Sequence, residues 1–271
     1  MQITDPKPRT ISILPFYPDR IVHHAIINIL GGIWEDKFIG DSYGGRTGRG
    51  LHAASRRVME FVRKNKYVLK CDIRKFYPSI PHTEMIRVVH RHVPDTRMRE
   101  IMREIINSTP DARGLPIGNL CSLWMGNLYM HELDMFVKRE IGIKYYIRYC
   151  DDFCIFSNDK FELRRWRDDI QKFLAHKLQL SFSKSEIFPI KNGLDFVGYR
   201  HFPGFILLRK RTLKKIKSRM RKIAMMETIT APDRTRGQVA AAYGWMKCAC
   251  SYNIRRKLKF NKISRMVGIH A

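Results

Sequence analysis

The segment YYIRYCDDFCIF, which runs from Tyr145 to Phe156, places two adjacent carboxylates between two apolar, aromatic-rich runs. This pattern predicts a β-hairpin with Asp151 and Asp152 at its bend. Two charges between buried strands are costly unless something compensates them. A divalent cation is the compensation that such a pair of carboxylates suggests first.

A second segment has a matching arrangement. The run from Tyr67 to Ile73 is a predicted apolar strand that carries Asp72 near its end. If the two strands pair, Asp72 and Asp151 converge, and Asp152 lies beside them. Carboxylate oxygens suit Mg²⁺, which keeps coordination positions for substrate phosphates. Two such ions about 4 Å apart can hold the attacking and leaving oxygens of a phosphoryl transfer, so the sequence predicts a two-metal nucleotidyl-transfer site.

Composition indicates what the protein binds. The 271 residues include 51 Lys and Arg against 25 Asp and Glu, a formal net charge of +26. Such a charge attracts a polyanion, and we favour nucleic acid over an anionic membrane surface because no lipidation motif is present. No apolar run reaches the roughly 18–20 residues that span a bilayer. The six cysteines include no CxxC pair, which disfavours zinc and is typical of reduced thiols in the cytoplasm.

The predicted elements alternate between helices and strands. After a proline-rich arm over residues 1–20, a helix is expected from Asp19 to the Gly31-Gly32 pair. Further helices are predicted over 51–64, 82–92, 95–108, 119–140, 160–178, 209–222, 235–250 and 255–266, and strands or hairpins over 67–73, 145–156, 180–188 and 193–200. This order predicts an α+β fold in which helices pack on one face of a sheet.

Two glycine-rich turns are candidates for contact with a nucleotide. The loop DSYGGRTGRG, over residues 41–50, contains Arg46 and Arg49, which could hold a triphosphate. A plain surface turn is an equally good interpretation of that loop. The turn around Gly114 and Gly118 either feeds a core helix or brings its backbone against a nucleotide or base pair.

The segment from Arg209 to Lys222 holds nine basic residues in fourteen and no acidic one. Leu213, Ile216 and Met220 recur at helical spacing within it, and Ile223 continues the pattern just after it. A solvated surface helix is the default interpretation of such a charge run. The absence of acidic residues also supports a helix that follows the phosphates of a nucleic acid.

The order of these blocks resembles the reverse transcriptases over nearly the whole chain. The set comprises Asp72 followed by Phe76-Tyr77, the GLPIG turn, the Tyr-x-Asp-Asp box YCDD, Lys184, and the FVGY sequence that begins at Phe196. The resemblance implies an RNA-directed DNA polymerase with a right-hand fold. Fingers and palm, with an antiparallel sheet and helices on one face, would occupy 1–203, and a small basic helical thumb 204–271.

The resemblance also implies roles for the acidic site. Asp72, Asp151 and Asp152 match the catalytic, metal-binding carboxylates, and Ile73 would offer its backbone carbonyl to a metal. Lys184 matches the lysine that is taken to protonate the leaving pyrophosphate, which is chemically reasonable for a cation at that place. The implied cofactor is a pair of Mg²⁺ ions, and Mn²⁺ accepts the same ligands.

The remaining roles concern nucleotide and nucleic acid. Arg46, Arg49, Ile117 and Gly118 match positions around the incoming nucleotide, and Tyr77 matches an aromatic gate against the ribose 2′-hydroxyl. The proposed nucleic-acid contacts are the primer-gripping residues Phe196, Gly198 and Tyr199 and the thumb residues Arg209, Lys210, Arg211, Lys214, Lys215, Lys217 and Arg221.

Within the family, the chain is most similar to the enzymes of diversity-generating retroelements. Group II intron enzymes usually carry Gln where this chain has Ile117; diversity-generating enzymes carry an aliphatic residue. Those enzymes often have Ser-Gln a few residues later, where this chain has Ser122-Leu123. Loss of a polar contact at Ile117 predicts weaker discrimination among nucleotides. The implied partners are a template RNA, a primer and its cDNA, dNTPs and a small, basic, helical, oligomeric accessory protein, in a bacterial or phage-encoded system.

Three alternatives remain open. One is a reverse transcriptase of a phage-defence or group II intron-like element, which neighbouring genes would distinguish. A catalytically idle RNA-binding scaffold would share the fold without the chemistry. A DNA-templated polymerase with a similar palm is a weaker alternative, and competition between templates would distinguish it.

Overall fold

The computed structural model describes residues 2–3, 9–11, 13–226 and 232–269. The chain forms two compact units: one comprises residues 1–54 and 66–188, and the other residues 55–65 and 189–271. The predicted division into fingers and palm (1–203) and thumb (204–271) stays a prediction, and the compact units divide the chain at different residues. Of the proline-rich arm, residues 1, 4–8 and 12 lie outside the described residues.

The helices and strands of the first unit follow the predicted order. Its strands are β1 Gln2–Ile3, β2 Arg9–Thr10, β3 Ser42–Tyr43, β4 Tyr67–Ile73, β5 Tyr146–Tyr149, β6 Asp152–Ser157 and β7 Phe182–Pro189. Its helices are α1 Ile21–Lys37, α3 Phe76–Ser79, α4 His82–His92, α5 Thr96–Asn107, α6 Leu120–Met135 and α7 Lys160–Lys177, and α2 Leu51–Lys64 begins here and continues into the second unit. A π-helical turn, Phe136–Glu140, extends α6 to the predicted end at residue 140.

The main sheet has five strands in the order β3-β5-β6-β4-β7. Strand β6 lies antiparallel to both β5 and β4, which confirms the predicted antiparallel core. At one edge, β3 runs parallel to β5, with Ser42 opposite Arg148 and Tyr43 opposite Tyr149. The sequence analysis did not predict this short parallel pair.

Side-chain alternation in β4 separates the core from the acidic face. Leu69, Cys71 and Ile73 join the buried core together with Phe153 of β6. Successive side chains of a strand point to opposite faces of the sheet, so Asp72 faces away from that core. Helix α7 packs on β4 and β6, as expected for a sheet with helices on its apolar face.

The predicted end of the first helix was wrong. Helix α1 continues through Gly31-Gly32 to Lys37. Trp34, in its last turns, is completely buried, and a Cβ atom at Gly31 would lie 3.5 Å from the Trp124 ring. That distance is an ordinary van der Waals contact, so the Trp124 ring does not require glycine at this position. Burial of Trp34 outweighs the low helix propensity of the two glycines.

The second unit combines a small sheet with helices. Strands β8 Leu194–Phe196, β9 Tyr199–His201 and β10 Ile206–Leu208 form an antiparallel sheet in the order β10-β9-β8. The helices are α8 Lys210–Ala224, α9 Pro232–Lys247, α10 Tyr252–Lys257 and α11 Phe260–Met266. Ile216, Met220 and Ile223 of α8 are buried, which confirms the predicted apolar stripe. None of the helices in the described ranges has the length and apolarity required to cross a bilayer.

Candidate active site

Three acidic residues lie in and beside the paired ends of β4 and β6. Asp72 of β4 lies directly opposite Asp152, the first residue of β6. Asp152 also pairs with Tyr149 of β5, so Cys150 and Asp151 form a two-residue turn between the hairpin strands. The predicted strand pairing is thus present, and it brings Asp72 beside the Asp151-Asp152 pair.

The hairpin turn has a demanding backbone. Cys150 has φ 55°, in the left-handed region, which disfavours residues that carry a Cβ atom. Its N–H donates to the Tyr43 carbonyl at 3.1 Å. Gly44 packs against the turn so closely that a Cβ atom there would lie 2.7 Å from Cys150 Sγ. Gly44 has φ 89°, and therefore satisfies both a close approach and a positive φ.

Two polar neighbours of the carboxylates were missed by the sequence analysis. The Ser183 hydroxyl of β7 donates to Asp72 Oδ2 and lies 3.2 Å from the Asp72 carbonyl oxygen. Lys70, on the same face of β4 as Asp72, places its Nζ 3.7 Å from Asp152 Oδ2. The position of Lys70 could have been predicted from the sequence. It lies two residues before Asp72, and residues i and i+2 of a strand share a face.

Lys184 follows Ser183 in β7 and is exposed. Alternation along the strand directs Lys184 to the face of the sheet opposite Ser183. Its role as proton donor to the leaving pyrophosphate stays a prediction.

The two loop arginines have different surroundings. The Arg46 side chain is only 3% exposed; its Nε donates to Glu35 Oε1 at 2.9 Å, and its Nη1 donates to the Ile39 and Ser42 carbonyls. Burial lowers the pKa of Arg46, although Glu35 opposes that effect. Arg49 is half-buried, lies over the Tyr43 ring at 5.8 Å and donates to the Gly40 carbonyl. Arg46 thus braces its own loop, and the predicted triphosphate contacts stay predictions.

The predicted sugar gate, Tyr77 of α3, packs against Gly126 of α6. A Cβ atom at Gly126 would be 3.1 Å from Tyr77 Cε1, and the Tyr77 ring packs edge-on against Phe76 at 5.1 Å. The Leu115 N–H donates to the Tyr77 carbonyl at 3.0 Å. Tyr77 is therefore anchored to the glycine-rich turn that leads into α6.

That turn ends at two further predicted nucleotide-binding residues. Ile117 is half-buried, and Gly118 is exposed with φ 104°. An exposed glycine backbone allows close approach of a ligand. Their contacts with a nucleotide stay predictions.

The donor set of the acidic site suits a hard cation. Asp72 and Asp151 offer carboxylates, and Ile73 offers a backbone carbonyl. Within the described part of the chain, no three His, Cys, Asp or Glu side chains form a ready-made metal cluster. Mg²⁺ is typically held by one or two carboxylates together with water and substrate phosphates. The oxygen donors of Asp72 and Asp151 therefore fit a divalent metal that substrate binding completes.

The predicted primer-gripping hairpin belongs to the second unit. The turn between β8 and β9 is Val197-Gly198, with φ 44° and 83°. Phe196 and Tyr199 are completely buried, and the Tyr199 hydroxyl donates to the Trp245 carbonyl at 3.1 Å. Their side chains stabilise the core of this unit, so a primer contact here would use the backbone of the turn.

The predicted thumb residues mostly face solvent. Arg209 pairs with Asp195 at 2.5 Å, and Lys217 is half-buried. The exposed members are Lys210, Arg211, Lys214, Lys215 and Arg221. They form the basic side of α8, opposite its buried stripe, and their nucleic-acid contacts stay predictions.

The fold is that of a reverse-transcriptase-type polymerase. Telomerase from Candida tropicalis in complex with a TWJ fragment of telomeric RNA superposes with a TM-score of 0.60 at 12% identity, covering 94% of this chain and 49% of that one. An apo telomerase from the same organism, truncated from its C-terminal domain, gives a TM-score of 0.55 at 13% identity, over 72% and 46% of the two chains. At these identities the likeness concerns the fold alone.

The chain belongs to the reverse transcriptase (RNA-dependent DNA polymerase) family, whose profile matches residues 4–201. It is 24% identical over 246 residues to protein YkfC of Escherichia coli, covering 73% of this chain and 63% of YkfC. It is 25% identical over 132 residues to the group II intron-encoded protein LtrA of Lactococcus lactis, covering 46% of this chain and 22% of LtrA. The chain thus spans less than two thirds of the length of either relative.

Proposed function

We propose that the chain is an RNA-directed DNA polymerase that extends a primer 3′-hydroxyl with dNTPs along an RNA template. The observation that carries this proposal is the pairing of Asp72 with Asp152 across β4 and β6, beside a turn that presents Asp151. Membership of the reverse transcriptase family supports it. The net charge of +26 supports the binding of a nucleic-acid template and primer.

The side chains of the proposed active site have different roles. Asp72 and Asp151 would hold the metal ions, for which we propose two Mg²⁺. These ions would supply charge neutralisation for the triphosphate and for the developing alkoxide. The Ser183 hydroxyl fixes one oxygen of Asp72, so the carboxylate is oriented before substrate arrives. Lys70 offsets part of the charge on Asp152, since their atoms lie 3.7 Å apart.

Tyr77 would discriminate deoxyribose from ribose by steric exclusion. Its ring is held between Phe76 and the Gly126 position of α6. A rigid aromatic ring at this place would collide with a 2′-hydroxyl, whereas a mobile one would yield. The packing around Tyr77 therefore supports selection of dNTPs.

The deciding experiment is single-primer extension on a defined RNA template with Mg²⁺. We expect the wild-type chain to extend the primer and Asp151→Asn, which keeps the shape and removes the charge, to be slower by about 100-fold or more. Asp168→Asn removes an exposed carboxylate of α7 that pairs with Arg167, and it should extend at the wild-type rate. Equal rates for wild type and Asp151→Asn would refute the proposed site.

The same assay distinguishes the other functions. Extension on DNA but not on RNA would indicate a DNA-templated polymerase. RNA binding by the wild type without extension, even with its native RNA and neighbouring protein added, would indicate a scaffold.

We further propose that the enzyme is error-prone and serves a diversity-generating retroelement with an oligomeric accessory protein. Ile117 supports this, because its half-buried aliphatic side chain offers no hydrogen bond to an incoming sugar or base. Sequencing of cDNA should show errors clustered opposite template adenines, and Ile117→Gln should reduce them. Even, low error in the wild type would favour a group II intron-like or phage-defence element, and the LtrA likeness makes the former the leading alternative.

A further inference from the structure

Beneath the hairpin turn lies a fully buried ion pair. Arg148 of β5 and Asp134 of α6 are both 0% exposed. Arg148 Nε donates to Asp134 Oδ1 at 2.8 Å, and Nη2 donates to Oδ2 at 2.5 Å, so the contact is bidentate. Burial alone would lower the pKa of Arg148, but the Asp134 carboxylate raises it above its ordinary value, so the guanidinium remains charged.

The remaining nitrogen of this guanidinium, Nη1, donates a hydrogen bond to the hairpin turn. Arg148 Nη1 donates to the Cys150 carbonyl at 2.9 Å and to Asn127 Oδ1 at 3.1 Å. Asn127 of α6 in turn donates from Nδ2 to the Gly44 carbonyl at 3.0 Å. The chain of hydrogen bonds therefore ends on two backbone carbonyls, one in the turn before Asp151 and one in the loop that packs against that turn.

Stability alone does not account for this arrangement. A buried ion pair typically contributes no more than apolar residues of the same volume, because desolvation offsets the attraction. What the pair does supply is a rigid, planar donor at a defined place. The carbonyl that receives this donor belongs to Cys150, whose φ of 55° is unfavourable for a residue with a Cβ atom. A backbone in that conformation persists only when its surroundings hold it there.

We propose that Arg148 and Asn127 are positioning residues that fix the Cys150-Asp151 turn and the Gly44 loop relative to each other, and thereby set the position of the Asp151 carboxylate. This inference rests on the proposed polymerase function. Neither side chain reaches a reacting atom. Each acts through a backbone carbonyl, Arg148 through Cys150 and Asn127 through Gly44.

The test compares two variants that each remove hydrogen bonding from this buried cluster. Asn127→Ala removes the contacts to Arg148 and to the Gly44 carbonyl. Tyr146→Phe is the matched control: it removes the hydroxyl that donates to Asp134 Oδ1 at 2.7 Å, on the side of the ion pair away from the turn. Both variants should unfold at lower temperature than the wild type.

The first measurement is amide hydrogen exchange at Cys150, whose N–H donates to the Tyr43 carbonyl. We expect exchange at least ~10-fold faster in Asn127→Ala and within ~2-fold of the wild type in Tyr146→Phe. Equal acceleration in both variants, or none in either, would overturn the proposal. This readout does not depend on catalysis, so it decides the positioning role even if the wild type extends no primer.

The second measurement is single-nucleotide extension on RNA. Asn127→Ala should lower kcat by ~10-fold or more and raise the Mg²⁺ concentration for half-maximal rate, with the dNTP KM changed by less than ~2-fold. Tyr146→Phe should keep the wild-type kcat. A wild type that extends no primer even with its native RNA and neighbouring protein added would refute the polymerase function. Equal kcat for the two variants in an active background would refute the positioning role.

Discussion

Asp134→Asn should be among the most destabilising single substitutions in the first unit. The Asp134 carboxylate accepts hydrogen bonds from the Tyr146 hydroxyl and from two nitrogens of Arg148. Asn keeps one acceptor oxygen but turns an NH₂ donor toward Arg148 Nη2, 2.5 Å from the replaced oxygen. The Arg148 charge then stays buried without a counter-charge, which costs about 3–5 kcal/mol. That is a fifth or more of the roughly 5–15 kcal/mol that stabilises a typical domain.

Guanidinium chloride unfolding followed by tryptophan fluorescence measures this loss. The double variant Asp134→Leu with Arg148→Met removes both charges and keeps apolar volume, so it should regain most of the lost free energy. A loss below about 1 kcal/mol in Asp134→Asn would show that the ion pair is weaker than its geometry indicates. A double variant as unstable as the single one would show that lost packing, and not an unpaired charge, explains the effect.

Three further predictions concern the metal site, the sugar gate and the pH dependence of stability. Ser183→Ala should raise the Mg²⁺ concentration for half-maximal extension by roughly 10-fold, because Asp72 loses the donor that orients it; a titration of primer extension with Mg²⁺ measures this. Gly126→Ala should displace Tyr77, since the new Cβ would lie 3.1 Å from its ring, and incorporation assays should show a changed ratio of rNTP to dNTP use. Burial lowers the pKa of His201 to about 4 from 6.5, so its contribution to stability is present above pH 6.5 and is lost as the pH falls toward 4. The loss is about 3 kcal/mol, measured as the difference in pH slope between wild type and His201→Gln.

Each of these predictions has a control on the same chain. Ser185→Ala changes a serine two residues further along β7 and should leave the Mg²⁺ titration unchanged. Gly32→Ala adds a Cβ in α1, where no atom lies within 4 Å, and should leave sugar selection unchanged. His176→Gln replaces an exposed histidine of α7 and should keep the wild-type pH slope. An effect of equal size in a control would contradict the corresponding mechanism.

Local sequence patterns predicted the elements that carry the acidic site. Strand β4 and the hairpin of β5 and β6 were visible because apolar runs ended at carboxylates. The predicted strand pairing is present, and its register places Asp72 opposite Asp152. The predicted end of the first helix failed because burial outweighed a local preference. Gly31 and Gly32 suggested a helix end, but α1 continues to Lys37 and thereby buries the ring of Trp34.

The side chains that brace the site were beyond local patterns. Arg148 stands inside an apolar strand, which was a visible anomaly, but its partners Asp134 and Asn127 lie 14 and 21 positions away on a helix. The surroundings of Arg46 were also beyond local patterns. The glycine-rich loop suggested either a phosphate contact or a plain surface turn, and neither interpretation predicted that the guanidinium donates to the Ile39 and Ser42 carbonyls.

The contact between Ser183 and Asp72 joins residues 111 positions apart, and this separation has a consequence for biosynthesis. Closing a loop of that length costs about 4 kcal/mol of chain entropy before any contact compensates it. During synthesis, the acidic residues therefore leave the ribosome well before the contact between Ser183 and Asp72 can form. A peptide that contains only the hairpin should bind divalent ions no more tightly than other acidic peptides do. A nascent chain on the ribosome should bind them more tightly only after β7 has emerged.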